Sequence, residues 1–394
     1  MRMLTAAAVS LCIVAGSSGP AFAWDDEGHK VIALIADHYL SPVARDKVQS
    51  MLAADTDPLT AHDIAAEATW ADKFADSDKK TTRTHYDATQ AWHFADIDAT
   101  RPNIPAACFG QPPLAVGMPA SQGPAKACVI DKVNQFWAEL SDAKTSTGER
   151  LLALKYLLNL VGDLHQPLRV ADESNSHGAA IMVSAGSITP GDLFNYWDSA
   201  YVVALGPDPK PVAQTLITQL ANTDLRLWAS GAPQLWALEA HQLGVDRAYG
   251  ISGSINDKGQ IALPDSDVAK GVKTVGLQLS RAGVRLAYIL NTSLDPVALP
   301  AAVQTAGAVG DKDAGHTLAL ATCSVCHVVA PDQPSPRQFT TAPDFQAIAN
   351  TRGMSDVALR EFLGGAHPTM PNMQLSDSQT DDVIAFILQL RKSP

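Results

Sequence analysis

LLALKYLLNLVGDLHQPLR, residues 151–169, is the stretch whose reading decides the fold. Leu151, Leu152, Leu154, Leu157, Leu158, Leu160 and Val161 recur at helical spacing and form a wide apolar stripe that must be buried. The helix reaches Gln166 at most, because Pro167 cannot continue it. Asn159 and Asp163 are four residues apart, so they project from one face, one turn apart. A carboxylate on a core helix is expensive unless something cationic meets it. A lone Asp in this position is ordinarily a cap or the partner of an Arg. The polar clusters in the rest of the chain point elsewhere.

Around this stretch the chain reads as mostly helical. Helical periodicity appears at 29–39, 64–74, 129–140, 151–165, 216–228 and 272–290. Strand signal is sparse, and one small hairpin is expected from 180–183 with 201–203. Residues 1–23 read as a cleaved export signal: a basic start at Arg2, an apolar run too short to span a bilayer, and Ala21-Phe22-Ala23 as the cleavage site. The mature chain then begins at Trp24 in a periplasmic or secreted compartment, with no later span. The length favours two domains. A net charge of −12 argues against a general nucleic-acid coat, though not against an enzyme whose metal ions meet the phosphate. Of the five cysteines, Cys12 leaves with the signal and Cys323 and Cys326 share a motif. Cys108 and Cys128 remain, and in an oxidising compartment they are paired as a disulfide.

Five polar clusters punctuate the helices. They are Trp24…His29, Trp70-Ala71-Asp72, Trp92-His93-Phe94-Ala95-Asp96, the 162–168 stretch GDLHQPL, and Trp197-Asp198. Carboxylate and imidazole together suit zinc. One such cluster alone is usually just a hydrogen-bonded His; five in this order point to a metal centre.

The order W-x-x-x-G-H at the mature terminus, then W-A-D, W-H-F, G-D-x-x-Q-P-L and W-D, resembles the zinc-dependent single-strand nuclease family of the S-one/P-one type, to which mung bean nuclease belongs. The resemblance runs to about Asn291 and includes Trp236…Glu239 and the 282–287 stretch AGVRLA. It implies an all-α fold and three zinc ions that cleave phosphodiesters and nucleotide 3′-phosphates. It implies one zinc on Trp24, through its free amine and carbonyl, with His29 and Asp163. A second, sharing Asp163, takes Asp72 and His93. Asp198 belongs to the third. Asp72 and Asp163 are thereby the catalytic carboxylates. Phe94 and Asp96 match the base pocket, the first stacking and the second accepting from the base.

The chain departs from the family pattern at its ligands. Asn159 stands where the second zinc takes a helix His. Arg169 and Phe194 stand where the third zinc takes two. Ala75 stands where an Arg steadies the phosphate. One or two zinc ions are therefore expected rather than three, with hydrolysis impaired. Arg169 is expected to replace the lost ion by a two-bond pair with Asp198, beside the substrate, while Phe194 fills the remaining volume.

After Asn291 the composition shifts. The 294–309 segment reads as a linker between a nuclease-like domain (24–293) and a second domain (310–394). Cys323-Ser324-Val325-Cys326-His327 is a C-x-x-C-H motif, the covalent attachment site of c-type haem, with His327 as proximal ligand. The segment resembles a small class-I-like cytochrome c. Ser355 is expected to cap a helix through Leu363, and Val383, Ile384, Ile387 and Leu390 to line the closing helix. Met370 is the expected distal ligand, ahead of Met373 and His367.

Two functions follow. One is an exported zinc-dependent endonuclease or 3′-nucleotidase with a fused haem domain, acting on single-stranded nucleic acid or nucleotides and serving an unidentified redox partner. The other is a non-hydrolytic redox or nucleotide- and metal-binding protein on a degenerate nuclease scaffold.

Overall fold

The computed structural model describes residues 24–108, 110–111, 114–115, 117–173, 176–186, 188–221, 223, 225–229, 231–295, 310–324, 326–330, 333, 342–351, 354–364 and 375–391. The expected export signal, nearly all of the expected linker, and His367, Met370 and Met373 lie outside the described residues.

The first helices are α1 (Asp26–Tyr39), α2 (Pro42–Ala53), α3 (Ile64–Glu67), α4 (Trp70–Asp76), α5 (Thr84–Thr89), α6 (Ile104–Ala107), α7 (Val129–Ser141), α8 (Thr147–His165) and α9 (Pro167–Val170). α8 is the expected organising helix. Ser146 caps its start, and it stops at His165 because Pro167 begins α9. It is buried on every side from Ala153 to His165, not along one stripe, because α1, α4, α7 and the long helix Asp265–Leu294 all pack on it. Each polar side chain on that length must therefore find a partner inside the protein.

The 64–74 periodicity resolves into two helices. The Thr69 hydroxyl donates to the Ala66 carbonyl at 2.8 Å, the kind of local bond with which Thr interrupts a helix. The 216–228 periodicity likewise divides, into the helices Pro209–Gln219 and Leu225–Ala229. The all-α expectation needs correction, because a four-stranded sheet is present, in the order β2-β1-β4-β3. β1 (Met182–Ala185) and β2 (Ile188–Asp192) form an antiparallel hairpin. β1 also pairs in parallel with β4 (Ile261–Ala262), and β4 pairs antiparallel with β3 (Ser254–Ile255). Strands of two to five residues are too short for alternation to announce them. Tyr201–Val203, expected as the partner strand, instead begins the helix Tyr201–Leu205 and packs on Asp265–Leu294.

One large apolar cluster runs from Trp24 to Leu294. A smaller one gathers Val383, Ile384 and Ile387 with Phe345, Leu359 and Phe386, and Leu390 packs against it. No helix among the described residues is long and apolar enough to cross a membrane. Cys108 and Cys128 are joined by a disulfide, tying the loop after α6 to the start of α7.

Candidate metal centre

Four elements deliver four ligand-type side chains to one buried place. His29 comes from α1, Asp72 from α4, His93 from the end of the tight turn Gln90–His93, and Asp163 from α8. His29 Nε2 lies 3.6 Å from both Asp72 Oδ2 and Asp163 Oδ1. His93 Nδ1 lies 2.7 Å from Asp163 Oδ2 and 3.6 Å from Asp72 Oδ1. Tetrahedral zinc with its usual bond lengths spaces its ligand atoms about 3.3 Å apart. Nε2 of His29 and Oδ1 of Asp163, 3.6 Å apart, are both buried without a hydrogen-bond partner. A cation between them would satisfy both, so the donor set fits zinc. Gly162 makes the approach possible, since a Cβ there would lie 2.8 Å from His29 Nδ1. Trp24 is fully buried alongside, its indole donating to the Gly162 carbonyl at 2.7 Å.

Asn159 stands one turn before Asp163, and its amide donates to Asp72 Oδ2 at 2.6 Å and to the Ala68 carbonyl at 3.0 Å. It orients a ligand carboxylate. The charges pull the two carboxylates apart. Burial works against the ionised form of Asp163, yet Arg169, His93 and His29 outweigh it and hold the group below the usual range. Burial and the neighbouring Asp163 charge leave Asp72 raised despite the two imidazoles.

Arg169 enters this cluster with Nε 3.5 Å from Asp163 Oδ1 and Nη2 3.9 Å from Asp198 Oδ1. The expected two-bond fork to Asp198 is thus replaced by one long contact. The guanidinium is shared with Asp163 and lies over the rings of Phe94 (4.4 Å) and Phe194 (5.2 Å). Phe194 does border the space. The Asp198 carboxylate accepts from the Gln166 amide at 3.2 Å, and burial still pushes its carboxyl up to about 8. This third region holds one carboxylate, an arginine and apolar surface, a donor set that does not fit zinc.

Near Arg169 lie the half-buried side chains of Phe94, Asp96 and His177. A backbone bridge pairs Asp98 with Asp172, and the Ala95 N–H donates to the Arg169 carbonyl at 2.9 Å, which carries Asp96 along α9. Asp96 Oδ1 meets His177 Nε2 at 3.1 Å, and the His177 ring packs 4.8 Å from Phe94. Sequence reasoning missed His177. It belongs to no ligand motif and sits in an irregular loop. Only its place before Gly178 marks a tight turn.

In the smaller domain Cys323 and Cys326 are half-buried, close in sequence to His327, and form no disulfide. His327 Nδ1 lies 2.7 Å from the Pro343 carbonyl, so it donates there and Nε2 keeps its lone pair for a metal. The residues present fit haem attachment. The Ala358 N–H donates to the Ser355 hydroxyl, the expected cap of the helix Asp356–Gly364.

Residues 24–295 match the family described as S1/P1 Nuclease, and residues 313–391 match Cytochrome c. Among curated relatives, Nuclease PA3 of Penicillium sp and Nuclease P1 of Penicillium citrinum are each 23% identical over 290 residues, covering 68% of this chain and 97% of each relative. Cytochrome c-552 of Bradyrhizobium diazoefficiens is 38% identical over 81 residues, covering 20% of this chain and 76% of that protein. The helical scaffold, the buried His and Asp cluster and the matched residues agree: the chain belongs to the S1/P1 nuclease family and carries a cytochrome c domain at its C-terminal end.

Proposed function

We propose that this protein is an exported, zinc-dependent phosphoesterase of the endonuclease/3′-nucleotidase kind, acting on single-stranded nucleic acid or nucleotides, with a covalently bound haem c that exchanges electrons with a separate partner. The convergence of His29, Asp72, His93 and Asp163 with the spacing zinc requires carries this reading. Removal of residues 1–23 would free the Trp24 amine to join the ligand set. When bound, zinc lowers the pKa of a water and polarises a phosphate oxygen. The chain's own residues do the rest. Asp163 stays ionised and joins the imidazoles, Asn159 fixes Asp72, and Arg169 sets a permanent positive charge next to Phe94 and Asp96, where the base and sugar-phosphate enter. With the third zinc's donor set replaced, turnover falls below that of a three-metal centre.

The Arg169–Phe194 arrangement favours a second reading, a nucleotide- and metal-binding redox protein that no longer hydrolyses. Metal analysis of the mature chain, with assays on single-stranded DNA and 3′-nucleotides, tests both. One or two zinc ions per chain and slow, chelator-sensitive hydrolysis are expected. Zinc without hydrolysis selects the second reading, and absence of zinc overturns the first. Asp163→Asn should remove both metal and hydrolysis.

A further inference from the structure

His177 has a φ of +49°, in the left-handed region that residues with a Cβ rarely enter. Such a conformation persists where the surroundings over-determine it, most often at ligand clamps. Four contacts do so here. The Asp172 carboxylate accepts from the His177 N–H at 3.0 Å. The ring lies 2.8 Å from the Leu168 carbonyl through Nδ1 and 3.1 Å from Asp96 Oδ1 through Nε2, and it packs on Phe94. The ring thus bridges the Leu168 carbonyl and the Asp96 carboxylate. It ties Asp96 to the residue that precedes Arg169. The Asp96 side chain remains 37% exposed, open to a ligand, but one of its two oxygens is engaged.

We infer that His177 is a positioning residue that sets the base selectivity of this pocket, by holding Asp96 so that a single carboxylate oxygen is left for the base. The inference rests on the nucleotide-binding reading above. Guanine presents two adjacent donors, its ring N–H and its amino group, to the two oxygens of a free carboxylate. Adenine and cytosine present one amino group. The bond to His177 takes one lone pair of Oδ1 and fixes the rotation of the carboxylate, so its two oxygens cannot turn together to face guanine's two donors, and the pocket takes unpaired nucleotides without favouring guanine.

Calorimetry on the full zinc-loaded chain tests this with guanosine monophosphate, adenosine monophosphate and ribose 5-phosphate. The parent should bind the two nucleotides within about threefold of each other, and both more tightly than the base-free sugar, since a two-bond contact alone discriminates on the order of tenfold. His177→Gly and His177→Asn both suit a left-handed backbone and both remove the ring. Each should raise the guanosine-to-adenosine affinity ratio on the order of tenfold and leave ribose 5-phosphate unchanged. An unchanged ratio in both variants overturns the inference while the nucleotide reading stands. A uniform loss of all three ligands also overturns it, marking His177 as structural only. A parent that binds nucleotides no better than ribose 5-phosphate overturns base recognition itself, and the inference with it.

Discussion

Arg169 brings one positive charge toward Asp198, too little to keep that carboxyl in its ordinary range. A guanidinium at 3.9 Å, shared with Asp163, offsets too little of the burial cost, so the Asp198 carboxyl rises to about 8. Supplying the missing donors should reverse this. Arg169→His combined with Phe194→His places two imidazoles beside Asp198, and the double variant should bind one more zinc ion than the parent and hydrolyse single-stranded DNA faster. An unchanged zinc count would show that the space has closed over. The ligand-type residues were legible because each stands in a short motif close in sequence to a Trp or a Gly: Gly28 before His29, Trp70 two residues before Asp72, Trp92 before His93, Gly162 before Asp163. His177 and the donor role of Asn159 were not legible. A side chain that acts by holding another ligand leaves no spacing of its own in the sequence.

α8 shows the same division for a whole element. Its stop before Pro167 and the burial of its leucine face followed from leucine spacing and one proline, but its start at Thr147, its burial on every side and its partners did not. Lys155, on a helix buried all round, meets Asp55, Asp57 (3.6 Å) and Glu67 (3.0 Å) and lies 4.1 Å over the Trp70 ring. Asp55 and Asp57 come from the α2–α3 loop, which has no periodicity to read, and Glu67 from α3, whose helix was read but not its pairing. Lys155→Met conserves most of the volume and removes the ammonium that three carboxylates share, one of them, Glu67, fully buried. A loss of about 3–5 kcal/mol is expected in urea unfolding at neutral pH. The pH dependence has a definite sign. Burial alone would raise Asp55, but the Lys155 hydrogen bond takes it below its ordinary 3.8. A depressed carboxylate contributes stability above its unfolded value and loses it as pH falls through its folded value. The gap between parent and variant should therefore be widest above pH 3.8 and close on acidification. A gap that stays constant from neutral to acid pH would remove the carboxylates from the explanation.

On the proposed function, the two apolar clusters of this chain serve two chemistries that make opposite demands on their metals. Zinc keeps one oxidation state and works on phosphate as a Lewis acid, whereas haem iron must change state. The larger cluster accordingly surrounds hard oxygen and imidazole donors. The smaller one offers two thiols, a histidine oriented by Pro343 and an apolar wall. Of the three candidate sixth ligands in 367–373, which lie outside the described residues, the two methionines differ in consequence from the histidine. A thioether is a soft ligand that favours ferrous iron and raises the potential, as Met/His ligation does in cytochromes c. Haem should therefore be covalent through Cys323 and Cys326, with His327 and Met370 axial. Met370→Ala should abolish the absorption band of Met ligation and lower the potential while the covalent haem is retained, because the thioethers do not depend on the sixth ligand. Met373→Ala should leave both unchanged. If Met370→Ala preserves the band and Met373→Ala removes it, the ligand is Met373. If neither variant changes the spectrum, His367 is the ligand, and the domain works at the lower potential of a bis-histidine centre, suited to a more reducing partner.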